Sequence, residues 1–191
     1  MRPHDHDLPR CQNEGKEKEV TRTKRKGLAA SLIIIAVILI LDQVLKIWVK
    51  THMSIGQEIP LIGNWFKLIF IENAGMAFGL MGGGGIVKLL LSIFRILAVI
   101  ALFYLLFRLT KKGTKFGVLF GIALITAGAL GNILDCVFYG KIFHYAGWLQ
   151  GKVVDMFSLS FFPPIFNLAD SAITVGVFYM AIFQWKWLKS L

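Results

Sequence analysis

The residues best equipped for chemistry lie in one stretch, residues 151–171, GKVVDMFSLSFFPPIFNLADS, which carries Asp155 and Asp170. Asp155 follows Val153-Val154 and precedes Met156-Phe157, and Asp170 opens a long hydrophobic segment. A charge at the edge of lipid is costly, so an ionisable group retained there is a functional candidate by default. Two aspartates about 3 Å apart cannot both ionise easily; they share a proton and titrate as a unit. The ionised one can take a proton from water while the protonated one hydrogen-bonds a substrate carbonyl. Such a pair cleaves a peptide bond without a metal or a covalent intermediate. Other chemistries are poorly supplied. His144 is the only histidine outside the tail and residue 52, and no serine neighbours it. The His or Cys spacing of a zinc site is absent, and His4 and His6 read as solvated tail residues. The run Gly82–Gly85 lacks the Gly-Lys-Ser/Thr ending of a phosphate loop, so it reads as a flexible connector.

The elements that must position the pair follow from composition. Of 191 residues, 56% are hydrophobic and only 17% charged, more apolar surface than a soluble domain of this length can hide. Four segments, near 27–49, 86–107, 116–138 and 165–187, match the roughly 20 apolar residues that cross a bilayer. The predicted class is an all-α polytopic membrane protein, with residues 27–191 as a single domain of four transmembrane helices. Residues 1–26 are polar and end in a basic run, and are expected to be a disordered cytoplasmic tail. A net charge of +10 suggests nucleic acid at first sight. The basic residues instead flank the hydrophobic segments, as topology signals do, which removes nucleic acid as a partner. The first apolar run continues past Asp42 without a small-residue cleavage site, so it reads as an uncleaved helix rather than a signal peptide. Cys11 and Cys136 make no disulfide framework and are expected as free thiols.

The polar residues within this framework collect at one level. Asp42 and Lys46, four apart near the end of span one, share a helix face and read as a structural pair. Asn132 and Asp135 share a face of span three, with Gly128 one turn earlier; Asn167, Asp170 and Thr174 form a stripe where span four begins. Gly117 and Gly121 suit close helix packing. Residues 51–84 are too polar to span, and predict short strands at 58–62 and 65–72 around Gly63-Asn64, followed by Asn73 among small neighbours. Residues 139–164 form a second non-spanning region with interfacial Tyr145 and Trp148. The tail, the loop after span two and the C-terminus are basic and belong in the cytoplasm. Asp42, Asn73, Asn132, Asp135, Asp155, Asn167 and Asp170 then all lie near the outer face. Beyond residue 26 the chain has only six acids, and four of them are the aspartates of this group.

Five ordered motifs carry a resemblance: Asp42-Gln43-xx-Lys46, Asn73-x-Gly75-x-Ala77-Phe78, Gly128-Ala129-x-Gly131-Asn132-xx-Asp135, Val153-Val154-Asp155-Met156 and Phe166-Asn167-x-Ala169-Asp170-Ser171. Along nearly all of residues 27–190 the chain resembles lipoprotein signal peptidase, or signal peptidase II. The resemblance implies a four-helix aspartic endopeptidase of the bacterial cytoplasmic membrane, with both termini cytoplasmic and the site near the outer face. Its implied substrates are prolipoproteins, cut just before the diacylglyceryl-modified cysteine at the lipid surface. It implies no cofactor and no metal, and globomycin-type peptides as inhibitors. By the same resemblance Asp155 and Asp170 are the catalytic pair, Asn73, Asn132 and Asn167 hold substrate or position the pair, and Asp135 organises the site. Residues 53–80 are expected to form a small extracytoplasmic β-rich cradle.

The chain departs from the family pattern where an arginine commonly follows the third-span aspartate; here that residue is Cys136. Arg95, roughly 15 Å down span two, is the candidate to supply the cation, since a long side chain can snorkel outward. Two other readings compete. A proton-coupled transporter predicts ionisable groups spread through the membrane and an internal repeat. A non-catalytic scaffold, glued by polar residues, predicts that Asp155→Asn and Asp170→Asn leave function intact.

Overall fold

The structure is a computed structural model that describes residues 8–74 and 85–190. Helix α1 is continuous over Leu8–His52. At roughly 1.5 Å per residue it is more than twice as long as the hydrocarbon layer is thick. Pro9 sits in its first turn, where a missing N–H costs nothing. From residue 8 onward, therefore, the stretch expected as disordered is helical. The composition still changes near residue 26, from charged to apolar. After α1 the chain turns through Gly56, whose φ of +82° suits glycine.

Helices α2 (Gly85–Lys112) and α3 (Phe116–Leu134) follow. Helix α3 runs on through a π-helical turn, Asp135–Tyr139, into the short α4, Gly140–Ile142. Helix α5 spans Leu168–Phe183, and a four-residue α6, Trp185–Leu188, ends the fold. Three helical stretches, 17–52, 88–112 and 116–142, are long and apolar enough to cross a membrane; α5 is apolar but shorter. The span expected at 165–187 thus narrows to sixteen helical residues.

Helix α3 is the centre of the bundle. Its most apolar stretch is 61% buried, against 17% for those of α1 and α2. Those two helices, and α5, expose Ile33, Val37, Ile40, Phe94, Leu97 and Phe178, among others, an apolar surface suited to lipid. Close approach of α3 to α5 depends on missing side chains. A Cβ on Gly128 would lie 2.1 Å from Ala169 O, and one on Gly121 2.5 Å from Met180 Sδ. The expected small-residue packing is borne out at Gly121 and extends to Gly128.

The four strands form one antiparallel sheet in the order β1-β2-β3-β4: Glu58–Ile62, Phe66–Asn73, Val153–Leu159 and Phe162–Phe166. The first two match the predicted strands to within a residue. The other two lie in the region read as merely non-spanning, so the sheet is shared by both non-spanning segments and is not confined to 53–80. Val153–Met156 is buried on both faces, which hides the alternation that betrays a strand. Pro60 and Pro163-Pro164 lie on the edge strands, where a missing donor is tolerated. The expected glycine connector and the motif residues Gly75, Ala77 and Phe78 fall outside the described residues, except Gly85, which opens α2.

Two apolar cores result. One packs Ile35, Leu106, Val118, Ile122 and Met180. The other packs Val49, Met53, Phe70, Val154 and Met156 under the sheet. The polar site lies between them.

Candidate active site

The site is built on a buried ion cluster. Asp42 and Lys46 on α1 and Asp135 in the π-helical turn are all 0% exposed. Lys46 Nζ has three N–H groups and three acceptors: Asp42 Oδ2, Asp135 Oδ2 and Asn132 Oδ1, each at 2.9 Å. The remaining carboxylate capacity is also used. Asp42 Oδ1 accepts the N–H of Ala169 at 2.9 Å, at the start of α5. Asp135 Oδ2 accepts Val154 N–H at 3.2 Å, on β3, and Asp135 Oδ1 accepts Gln43 Nε2 at 2.9 Å. One lysine and two aspartates therefore tie α1, α3, β3 and α5 together. A buried charge cluster of this kind is tolerable only when every group is satisfied, as here.

Two asparagines carry the arrangement outward. Asn132 Oδ1 faces Lys46, which forces its Nδ2 toward Asp170 Oδ1, at 2.7 Å. Asn167 is the N-cap of α5. Its Oδ1 accepts Asp170 N–H at 2.8 Å and Asp170 Oδ2 accepts Asn167 N–H at 3.2 Å, a reciprocal capping box. Its Nδ2 donates to Asp155 Oδ1 at 2.8 Å. A single residue thus holds both candidate carboxylates, one through its side chain and one through its backbone. Asn73, at the end of β2, donates from Nδ2 to Asp155 Oδ2 at 3.1 Å.

The two acids sit in unequal surroundings. Asp155 is 4% exposed. Burial, with the charge of Asp170 adding to it, pushes its carboxyl up to about 6, against the opposing hydrogen bonds of Asn73 and Asn167. Asp170 is half-buried and lines a largely apolar groove of about 480 Å³ between the β3–β4 hairpin and α5, walled by Leu159, Phe162, Ile165 and Thr174. Burial raises the proton affinity of one carboxyl, and the other meets a groove. That is the division of labour general acid–base chemistry needs.

All eight residues singled out in the sequence fall in this one network: Asp42, Lys46, Asn73, Asn132, Asp135, Asp155, Asn167 and Asp170. Two others join it: Gln43, which the sequence placed in a motif without a role, and Glu72, which it did not single out as a site residue. Gln43 bonds Asp135 and accepts Tyr139 O–H at 3.1 Å. Glu72, next to Asn73, pairs with Lys50 and Lys152. Burial raises the Glu72 pKa, but these lysines outweigh it and hold the carboxyl below the usual range. Its place among the six acids of the apolar region was the available signal. Arg95 does not pair with a carboxylate among the described residues; its Nη1 lies 3.1 Å from Cys136 Sγ. With Lys88 and Ser92, which donate to Gln150 O and Leu149 O, it forms a polar face docking α2 beside the site.

Helices faced with lipid-ready side chains, a small sheet at one end and ionisable groups gathered beneath it define a membrane protein with a buried carboxylate cluster. The chain belongs to the signal peptidase II family: the family model described as Signal peptidase (SPase) II matches residues 34–186. It is 37% identical over 198 residues to the lipoprotein signal peptidase of Porphyromonas gingivalis, covering 85% of each chain. It is 38% identical over 182 residues to that of Amoebophilus asiaticus, covering 81% of this chain and 76% of the relative. Among solved structures, a bacterial membrane enzyme obtained by the in meso method at 1.9 Å superposes with a TM-score of 0.63 at 31% identity, over 82% of this chain and 92% of that one. By family, then, the protein is a membrane protease.

Proposed function

We propose that this protein is an aspartic endopeptidase that removes the signal peptide of bacterial prolipoproteins, cleaving before the diacylglyceryl-modified cysteine. The observation that carries the reading is the joint hold of Asn167 on Asp155 and Asp170. Asp170, open to the groove, takes a proton from water as its oxygen attacks the scissile carbonyl. Asp155 gives its proton to the carbonyl oxygen. As the tetrahedral species breaks down, the proton held by Asp170 passes to the leaving nitrogen and Asp155 recovers its own. Asn73 and Asn132 fix the outer oxygens of the pair, and the Lys46 cluster fixes Asn132.

On this reading α1, α2, α3 and α5 all cross the bacterial inner membrane, both termini lie on the basic, cytoplasmic side, and the carboxylates lie near the outer face. A lipid-anchored substrate keeps its scissile bond at that depth, and the apolar groove beside Asp170 receives its flanking chain. Globomycin-type peptides would compete for the groove. Arg95 brings a cation against Cys136, one residue after Asp135; loss of cleavage in well-folded Arg95→Leu supports this role, and full activity removes it. The deciding assay is processing of a diacylglyceryl-modified prolipoprotein by wild type and by Asp155→Asn and Asp170→Asn. Cleavage by wild type alone supports the pair. Failure of folded wild type to cleave, or cleavage by either variant at the wild-type rate, refutes the reading.

A further inference from the structure

At the opposite end of the bundle from the carboxylates, α5 is too short for its task. Its 16 residues rise about 24 Å, some 6 Å less than the roughly 30 Å hydrocarbon layer. The chain then turns at Gln184, with φ −114° and ψ 18°, and α6 tucks under the bundle. Trp187 and Leu188 pack against the core that holds Leu109 and Val118. The turn leaves a notch of about 820 Å³ between α6 and the α2–α3 connection, lined by Gly113, Thr114, Lys115, Gln184, Trp185 and Lys186.

The chemistry of the notch is that of a lipid headgroup. Lys115 and Lys186 are both exposed and line it from the α2–α3 connection and from α6, and among the described residues no acid lines it. Trp185, 54% exposed, sits where an indole suits the membrane–water boundary, and Lys189 Nζ lies 5.2 Å from its ring centroid. Lys115 itself caps α3 without a side-chain hydrogen bond, so the helix end adds its positive field to the lysines. Charge nearby is mostly positive, although Glu19 shares an adjoining hollow with Lys24 and Gly113. Lys111 and Lys112 close α2, and Lys24 reaches the same turn, its Cε 3.3 Å from where a Cβ on Gly113 would stand.

We infer that this notch binds the headgroup of an acidic phospholipid, whose acyl chains fill the layer that α5 leaves empty. A zwitterionic headgroup would place its own cation among these lysines. The test is native mass spectrometry of the full-length, delipidated protein with an equimolar mixture of phosphatidylglycerol and phosphatidylcholine, and separately with soluble glycerol phosphate. Wild type should retain phosphatidylglycerol in preference. Each lysine near an anionic headgroup contributes about fivefold, so Lys115→Gln with Lys186→Gln should cut that preference on the order of twentyfold. Lys111→Gln with Lys112→Gln removes the same charge outside the notch and should keep it. Equal retention of the two lipids by wild type, equal loss in both double variants, or equally strong binding of glycerol phosphate would overturn the proposal.

Discussion

Replacing Asp155 by Asn should abolish cleavage and yet stabilise the protein, by an amount that depends on pH. The folded carboxyl is held at about 6, against an ordinary value of 3.8, chiefly by burial. Between those values the folded chain binds more protons than the unfolded chain, so stability falls as pH rises through the window. At 1.36 kcal/mol per unit the full cost above the window is about 3 kcal/mol. Asn carries no charge and escapes it. The amide replaces one acceptor oxygen by a donor, however, and Asn73 and Asn167 both donate here. One hydrogen bond is lost, offsetting about 1 kcal/mol. The variant should therefore be more stable than wild type by about 2 kcal/mol near pH 8 and less stable by about 1 kcal/mol near pH 4. Unfolding curves in denaturing detergent, recorded for both proteins across this range, should cross. A stability difference independent of pH would refute the idea that burial raises the proton affinity of Asp155.

Three further substitutions probe the scaffold. Asn167→Ala removes the side chain shared by the pair, and should lower kcat on the order of 100-fold with a smaller change in KM; unchanged kcat in the prolipoprotein assay would deny Asn167 its positioning role. Lys46→Met leaves two buried aspartates without their cation, and should cost about 3–5 kcal/mol in unfolding measurements. Gly128→Ala places a Cβ 2.1 Å from Ala169 O, and should cost about 1–3 kcal/mol and reduce cleavage by displacing Asp170. Gly147→Ala, where an added Cβ meets nothing within 4 Å, is the control expected to leave both unchanged.

Much of this site was legible because its spacings are local. Asp42 and Lys46 are one helical turn apart and do pair. Asn132 and Asp135 share a face and both reach Lys46. Asn167 and Asp170 stand at N-cap and N3, a spacing with its own hydrogen-bond logic. What stayed hidden depends on contacts distant in sequence. Nothing local announces that Val153–Leu159 pairs with Phe66–Asn73, because its first four residues are buried on both faces and do not alternate. The Lys50–Glu72–Lys152 group needs three separate segments to meet. The helical start of α1 was missed for another reason: a charged stretch with no apolar face predicts no helix of its own, but one already nucleated by an adjacent apolar span extends at little cost.

The position of Asp135 explains why an ion cluster underlies a site whose proposed chemistry needs only two carboxyls. Asp155 and Asp170 come from a strand and a helix that share no turn, and each could shift against the other. The Lys46 cluster removes that freedom at three points. Asp135 holds the backbone of Val154, immediately before Asp155. Asp42 holds the backbone of Ala169, immediately before Asp170. Lys46 binds both of these aspartates and, through Asn132, reaches the Asp170 side chain itself. The residue preceding each member of the pair is thus anchored to the same ammonium through one intervening carboxylate. A neutral core of equal volume could pack these elements as tightly, but it could not fix the register of β3 and α5 against one common charge.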